Sequence, residues 1–203
     1  MRTASHIIST VFVPFLMPTY SVALLFIYTN FGLIFSGHYL QILLPVFLFS
    51  FAVPTFAIYL MHKMKIISDF SISKRRERLL PYIFTIISYS FMIFYYFRMG
   101  MPKWFLVLMA ASILVMIIAL VITLWWKISA HMFGIGGLLG GVMSVSYYVA
   151  HTNPYILFII LFVIAGMIGT ARLILRRHTI YQVIAGFLLG YITTYICIAL
   201  SVR

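Results

Sequence analysis

The stretch ARLILRRHTIYQVIAG, Ala171 to Gly186, decides how this chain is read. It places three arginines and a histidine between two apolar runs, 154–171 and 179–201. Each run is close to the roughly 20 residues that carry a helix across a bilayer. Two such runs joined by a cationic hairpin predict a pair of membrane-spanning helices. Charge at a bilayer's edge, facing other helices, is costly unless it has a partner or a task. The hairpin is therefore also the first place to look for function.

Composition extends this reading to the whole chain. Of 203 residues, 65% are hydrophobic and 8% charged, with a mean hydropathy of +1.15. Ordinary soluble domains lie far from these values. Seven segments approach spanning length: 7–28, 39–60, 81–97, 104–126, 131–148, 154–171 and 179–201. They predict an all-α polytopic bundle of about six or seven transmembrane helices, forming one domain over residues 1–203. Arg2 and the apolar run after it resemble a signal peptide superficially, but the run has no small-residue cleavage pattern and is read as a spanning helix. Pro14, Pro18, Pro45 and Pro54 fall inside the first two segments, where neighbouring helices can accommodate kinks. Pro81 and Pro154 stand where helices begin and no amide donor is needed. In the fifth segment Gly136 and Gly140, and likewise Gly137 and Gly141, lie about one turn apart, a spacing that lets helices approach closely.

The formal charge of +12 reflects scarce acid as much as abundant base, since Asp69 and Glu77 are the only carboxylate side chains. Two carboxylates cannot build the magnesium sites of isoprenyl or CDP-alcohol transferases. Neither lies in an apolar segment, as the carboxylates of proton pumps and cation-coupled carriers usually do. The basic residues sit at helix ends and not along a soluble stripe, so nucleic acid is not an expected partner. Cys197 stands alone in an apolar run and reads as packing.

Helix parity gives the polar segments a common location. With seven spans, the loop 62–80, the junction 127–131 and the junction 172–179 all fall on one side of the membrane. Around an anion, Arg172, Arg176, Arg177, Lys74 and the arginines beside it can neutralise oxygens, arginine through paired contacts. Ser129 and the amides opening the fifth helix add donors at a positive helix end. His131 and His178, with His6 and His62, are the groups on this face able to transfer protons near neutral pH. Each has an ordinary alternative. A histidine at a membrane helix end is commonly interfacial, and the basic cluster from Lys74 to Arg78, with Arg176 and Arg177, can anchor to lipid headgroups.

These residues resemble the type 2 phosphatidic acid phosphatase family, whose motifs are K-x6-R-P, P-S-G-H and S-R-x5-H-x3-D. The third is matched by Ala171, Arg172, His178 and Gln182, with Gly186 following. Ile128, Ser129, Ala130 and His131 resemble the second. The first is weakest: Lys74 reaches Pro81 one residue too soon, and the nearest arginine is displaced to Arg78. The family-like core covers about 74–186. The resemblance implies a hydrolase needing no metal or other cofactor, acting on a phosphorylated lipid drawn from the surrounding membrane lipids. His178 would be the nucleophile, His131 the acid and base, and Lys74, Arg78, Ser129 and Arg172 the phosphate ligands. It also implies a site on the outer face of the cell membrane. Gln182 stands where the family has an aspartate to orient the nucleophile, and it can accept a hydrogen bond without supplying charge. That departure leaves a second reading, a degenerate relative that binds phosphorylated lipid or supports a membrane assembly. Paired histidines admit haem ligation as a third.

Overall fold

A computed structural model describes residues 1–70, 72, 74 and 76–203. Its described residues form an all-α bundle: α1 (Arg2–Val11), α2 (Met17–Tyr28), α3 (Phe31–Ile34), α4 (Tyr39–Phe47), α5 (Val53–Lys63), α6 (Leu79–Arg98), α7 (Lys103–Thr123), α8 (Ala130–Tyr148), α9 (Tyr155–Ile174) and α10 (Ile180–Ser201). Six helical stretches are long and apolar enough to cross a membrane, making this a multi-pass membrane protein. They are 2–28, 39–63, 76–98, 103–123, 155–174 and 180–201. The 19-residue α8 is about 28 Å long and lies among them, but it is less apolar. The reason is its position. Twelve of its 19 residues are buried, so α8 faces other helices and its glycines serve packing where a lipid-facing helix would need side chains.

The first apolar run departs from expectation. It crosses as one stretch, 2–28, but not as one continuous helix, because α1 ends at Val11 and a short 3₁₀ turn, Pro14–Leu16, precedes α2. Pro14 and Pro18 each occupy the first turn of a new helix, where a missing amide costs nothing, so they start helices instead of kinking one. α1 packs against α9, while α2 packs against α8. The second run remains continuous but widens into a π-helical turn at Leu48–Ala52, just ahead of Pro54. Neighbouring helices satisfy this irregular stretch: the Ser88 hydroxyl donates to the Phe49 carbonyl at 2.6 Å, and Thr19 and Ser50 share a hydrogen bond at 3.3 Å.

The pairing that positions the site is α8 with α10. Gly186 lies against the Ser129 carbonyl, Gly190 against Phe133, and farther along the Ser144 hydroxyl donates to the Tyr195 carbonyl at 3.0 Å. The register advances in the same direction on both helices, so they run parallel and their N-termini share one end of the bundle. At Gly190 a β-carbon would collide with the Phe133 carbonyl oxygen and the Gly137 amide, neither of which can swing aside. Gly190→Leu should therefore cost more than about 3 kcal/mol and leave little folded protein in detergent, by overpacking against backbone. At Gly166 a β-carbon meets nothing within 4 Å, and Gly166→Leu should leave the melting temperature nearly unchanged. Thermal unfolding of the two variants side by side checks the contrast.

Candidate functional site

Three connections converge where α8 and α10 begin. The first ends in a 3₁₀ turn, Arg76–Arg78, leading into α6. Arg78 is only 9% exposed. Its Nε donates to the Ile72 carbonyl at 3.0 Å and its Nη1 to the Ile128 carbonyl at 3.1 Å. The second bond ties the long loop to the junction before α8. Buried arginine without a carboxylate partner is expensive, and carbonyl acceptors satisfy its donors but not its charge.

Ser129 is the N-cap of α8, fully buried, and its hydroxyl bonds to no backbone amide of the first turn. Its Oγ and the Nε of Arg172 are buried polar atoms with no hydrogen-bond partner among the described residues. Buried polar groups are normally satisfied, so both stand out, as do Ser21, Ser146 and Thr152 elsewhere in the bundle. α9 ends at Ile174 with Arg176 in the left-handed region at φ 51°. The Arg177 amide bonds back to the Arg172 carbonyl at 3.1 Å, a helix stop usually built with glycine. This tight reversal brings His178 and the start of α10 back beside the helix end carrying Arg172.

His178 is 9% exposed, and its Nδ1 lies 3.1 Å from Gln182 Oε1. The same oxygen accepts the Thr179 amide at 3.2 Å as part of a capping box that opens α10. A backbone amide can only donate, so the atom facing it is the amide oxygen of Gln182 and not its nitrogen. Nδ1 of His178 must then carry the proton, leaving Nε2 with its lone pair. Burial lowers the imidazole pKa to about 3; Gln182 opposes the shift, while Arg78, Arg172 and Lys127 add to it. His178 is neutral across physiological pH.

That shift has a stability consequence. An unfolded histidine titrates near 6.5, whereas the folded one resists protonation until about pH 3, so stability is complete above pH 6.5 and falls as the pH drops below it. Between pH 6.5 and 4.5 the loss is on the order of 2 kcal/mol from this residue. Thermal unfolding at pH 7.5 and 4.5 should show a marked drop for the wild type and a smaller one for His178→Asn.

His131, in the first turn of α8, places Nε2 3.0 Å from the Ser9 carbonyl of α1, and therefore donates through Nε2. Arg172 Nη1 donates to the Ser9 hydroxyl at 3.2 Å. One residue of α1 thus engages two of the candidate site residues.

The structure brings Arg78, Ser129, His131, Arg172, His178 and Gln182 to this end of the bundle. Lys74 is not drawn in: its side chain is 68% exposed and its Nζ pairs with Glu77 at 3.2 Å. Arg75, one of its cationic neighbours, lies outside the described residues. Lys127 supplies a lysine instead. Burial and then Arg78, Arg177 and Arg172 hold its ammonium below the usual lysine range. Lys127 stands two residues before Ser129, in the junction that parity had already placed on this face. Ser9 was concealed in an apolar run read as spanning, with Pro14 and Pro18 the only hints of a break. Among the described residues no group of three His, Cys, Asp or Glu comes together as a metal site.

No protein-family model, curated protein or solved structure matches this chain.

Proposed function

We infer that the chain is a metal-independent phosphatase of a phosphorylated lipid, a phospholipid or isoprenoid phosphate, working through a phosphohistidine. The observation that carries this reading is His178: a buried neutral imidazole with Nδ1–H held by Gln182 and a lone pair on Nε2, surrounded by Arg78, Arg172 and Lys127. A nucleophile toward phosphorus needs that tautomer, and a phosphoryl group needs those cations.

Each step follows from those positions. Arg78, Lys127 and Arg172 hold the phosphate oxygens, and the Ser129 hydroxyl with the first-turn amides of α8 donates to them. Nε2 of His178 attacks phosphorus, the bond to the lipid oxygen breaks, and that oxygen takes a proton from His131, which enters the step as imidazolium beside the bound phosphate. A water molecule then attacks the phosphorus–nitrogen bond while His131 accepts its proton. Inorganic phosphate leaves, and Nε2 recovers its lone pair. The test is phosphate release by purified protein from a panel of lipid phosphates without added divalent metal, expected for the wild type and absent in His178→Ala.

One observation favours the second reading, a lipid-phosphate binder without turnover. Gln182 holds the imidazole but brings no negative charge to stabilise it once it carries the phosphoryl group. That reading predicts binding sensitive to Arg172→Ala and no product.

A further inference from the structure

The bundle is not filled where α8 begins. A cavity of about 80 Å³ is bordered by the Pro14–Leu16 turn, α2, α6, α7, α8 and α10, and none of the residues lining it is charged. Two of its walls lead to the candidate site. On α8 the lining runs from Ala130, directly after Ser129, through Gly134 to Leu138, about 12 Å of helix. On α6 it runs from Tyr82 to Tyr89, and Tyr82 stands one turn from Arg78 with its hydroxyl facing the guanidinium.

Size and lining limit the guest. A water molecule takes up about 30 Å³ in the liquid, so the space as it stands holds about three groups of that size. Met17, Met109 and Met116 border it, and these unbranched, flexible side chains adapt their packing, so the space can lengthen along a guest. Between close-packed helices it admits one hydrocarbon chain and not two side by side.

One wall position favours space over stability. Ser21 lines the cavity, is 4% exposed, and its hydroxyl has no hydrogen-bond partner among the described residues. A buried hydroxyl left unpaired costs stability that an apolar side chain filling the same void would recover. Departures of this kind from good packing are expected where a protein binds something.

We propose that this cavity seats the single hydrocarbon chain of a lipid phosphate whose phosphate lies at Arg78 and Ser129, so that the protein takes one-chain lipid phosphates and excludes diacyl ones. Occupancy of the cavity tests independently of turnover, whereas its role in selecting a substrate rests on the phosphatase reading.

The experiment uses the full chain in phosphatidylcholine nanodiscs and decyl phosphate carrying a terminal diazirine. Irradiation should crosslink the probe to peptides containing Ser21 or Met109. Excess dodecyl phosphate should reduce that crosslinking at least tenfold, and dioleoyl phosphatidate at the same concentration less than twofold. The uncharged decanol analogue of the probe should crosslink there at least tenfold less. Ser21→Leu fills the cavity and removes the unpaired hydroxyl, so it should lower crosslinking at least tenfold without lowering the melting temperature. Ser112→Leu, on the α7 wall, is a second filling variant with the same expected loss of crosslinking. Crosslinks confined to lipid-facing peptides, equal competition by dioleoyl phosphatidate, equal crosslinking by the decanol analogue, or full crosslinking in both filled variants overturns the proposal. Crosslinking in the cavity of a protein that releases no phosphate keeps the cavity and removes the phosphatase. Phosphate release without crosslinking in the cavity does the reverse.

Discussion

Gln182→Glu should raise kcat by roughly 10²–10⁴, the scale set by exchanging acid and amide at the orienting residue of a serine-protease triad. Glutamate has the reach of glutamine, so one carboxylate oxygen can take both the His178 Nδ1–H and the Thr179 amide that Oε1 of Gln182 now accepts at 3.1 and 3.2 Å. The capping box survives, since glutamate is as suitable at its third helical position, and negative charge there suits the helix N-terminus. What changes is the charge beside the imidazole as phosphorus bonds to it. The carboxylate also raises the pKa of His178 from about 3, making Nε2 a stronger nucleophile. Gln182→Asp supplies the same charge on a side chain one methylene shorter and should gain less. Steady-state phosphate release by the three proteins checks this, and equal rates would separate Gln182 from the chemistry.

Arg78→Ala should be the most damaging substitution among the cations, while Lys74→Ala should be nearly silent. Removing Arg78 deletes two charge-assisted bonds to carbonyls, one of which joins the long loop to the start of α8, at a cost of about 3 kcal/mol. It also deletes a buried positive charge beside His178 and should weaken phosphate binding at least tenfold. Arg78→Lys restores charge without the fork geometry and should recover only part of both losses. Lys74 is exposed, and its pair with Glu77 is a surface contact of a kind that contributes little. Lys74→Ala should change stability by less than about 0.5 kcal/mol and binding by less than twofold. Melting temperatures and inhibition by inorganic phosphate measure both effects.

Much of this was legible in the sequence because a bilayer imposes simple constraints on length and polarity. The last five spans follow apolar runs whose ends differ from the observed helices by a few residues: 81–97 became Leu79–Arg98, and 179–201 became Ile180–Ser201. The bond from Arg78 to Ile128 joins two of the polar junctions that parity had placed on one face. The break after α1 is masked because 7–28 joins the apolar end of α1 to α2, although α1 as a whole is amphipathic and far less apolar than the spanning helices. The lysine that lies among the arginines is a different one for a different reason. Motif spacing favours Lys74, but its loop carries Glu77 three residues on, close enough to capture it, whereas Lys127 is delivered by the junction before α8. Gln182 was visible as a contact one turn from His178. Its second bond, to Thr179, was written in the same residues as the T-x-x-Q pattern of a capping box. That bond is the one that fixes the imidazole tautomer.

In the proposed reaction phosphorus bonds to His178. The most direct measurement incubates purified protein with a ³²P-labelled lipid phosphate, quenches within one turnover and follows protein-bound label. Label is expected on the wild-type chain that is labile in acid and stable in base, that maps to the peptide containing His178, and that is lost in His178→Ala together with phosphate release. Phosphate release by His178→Ala at the wild-type rate, or label on any other residue, would contradict it.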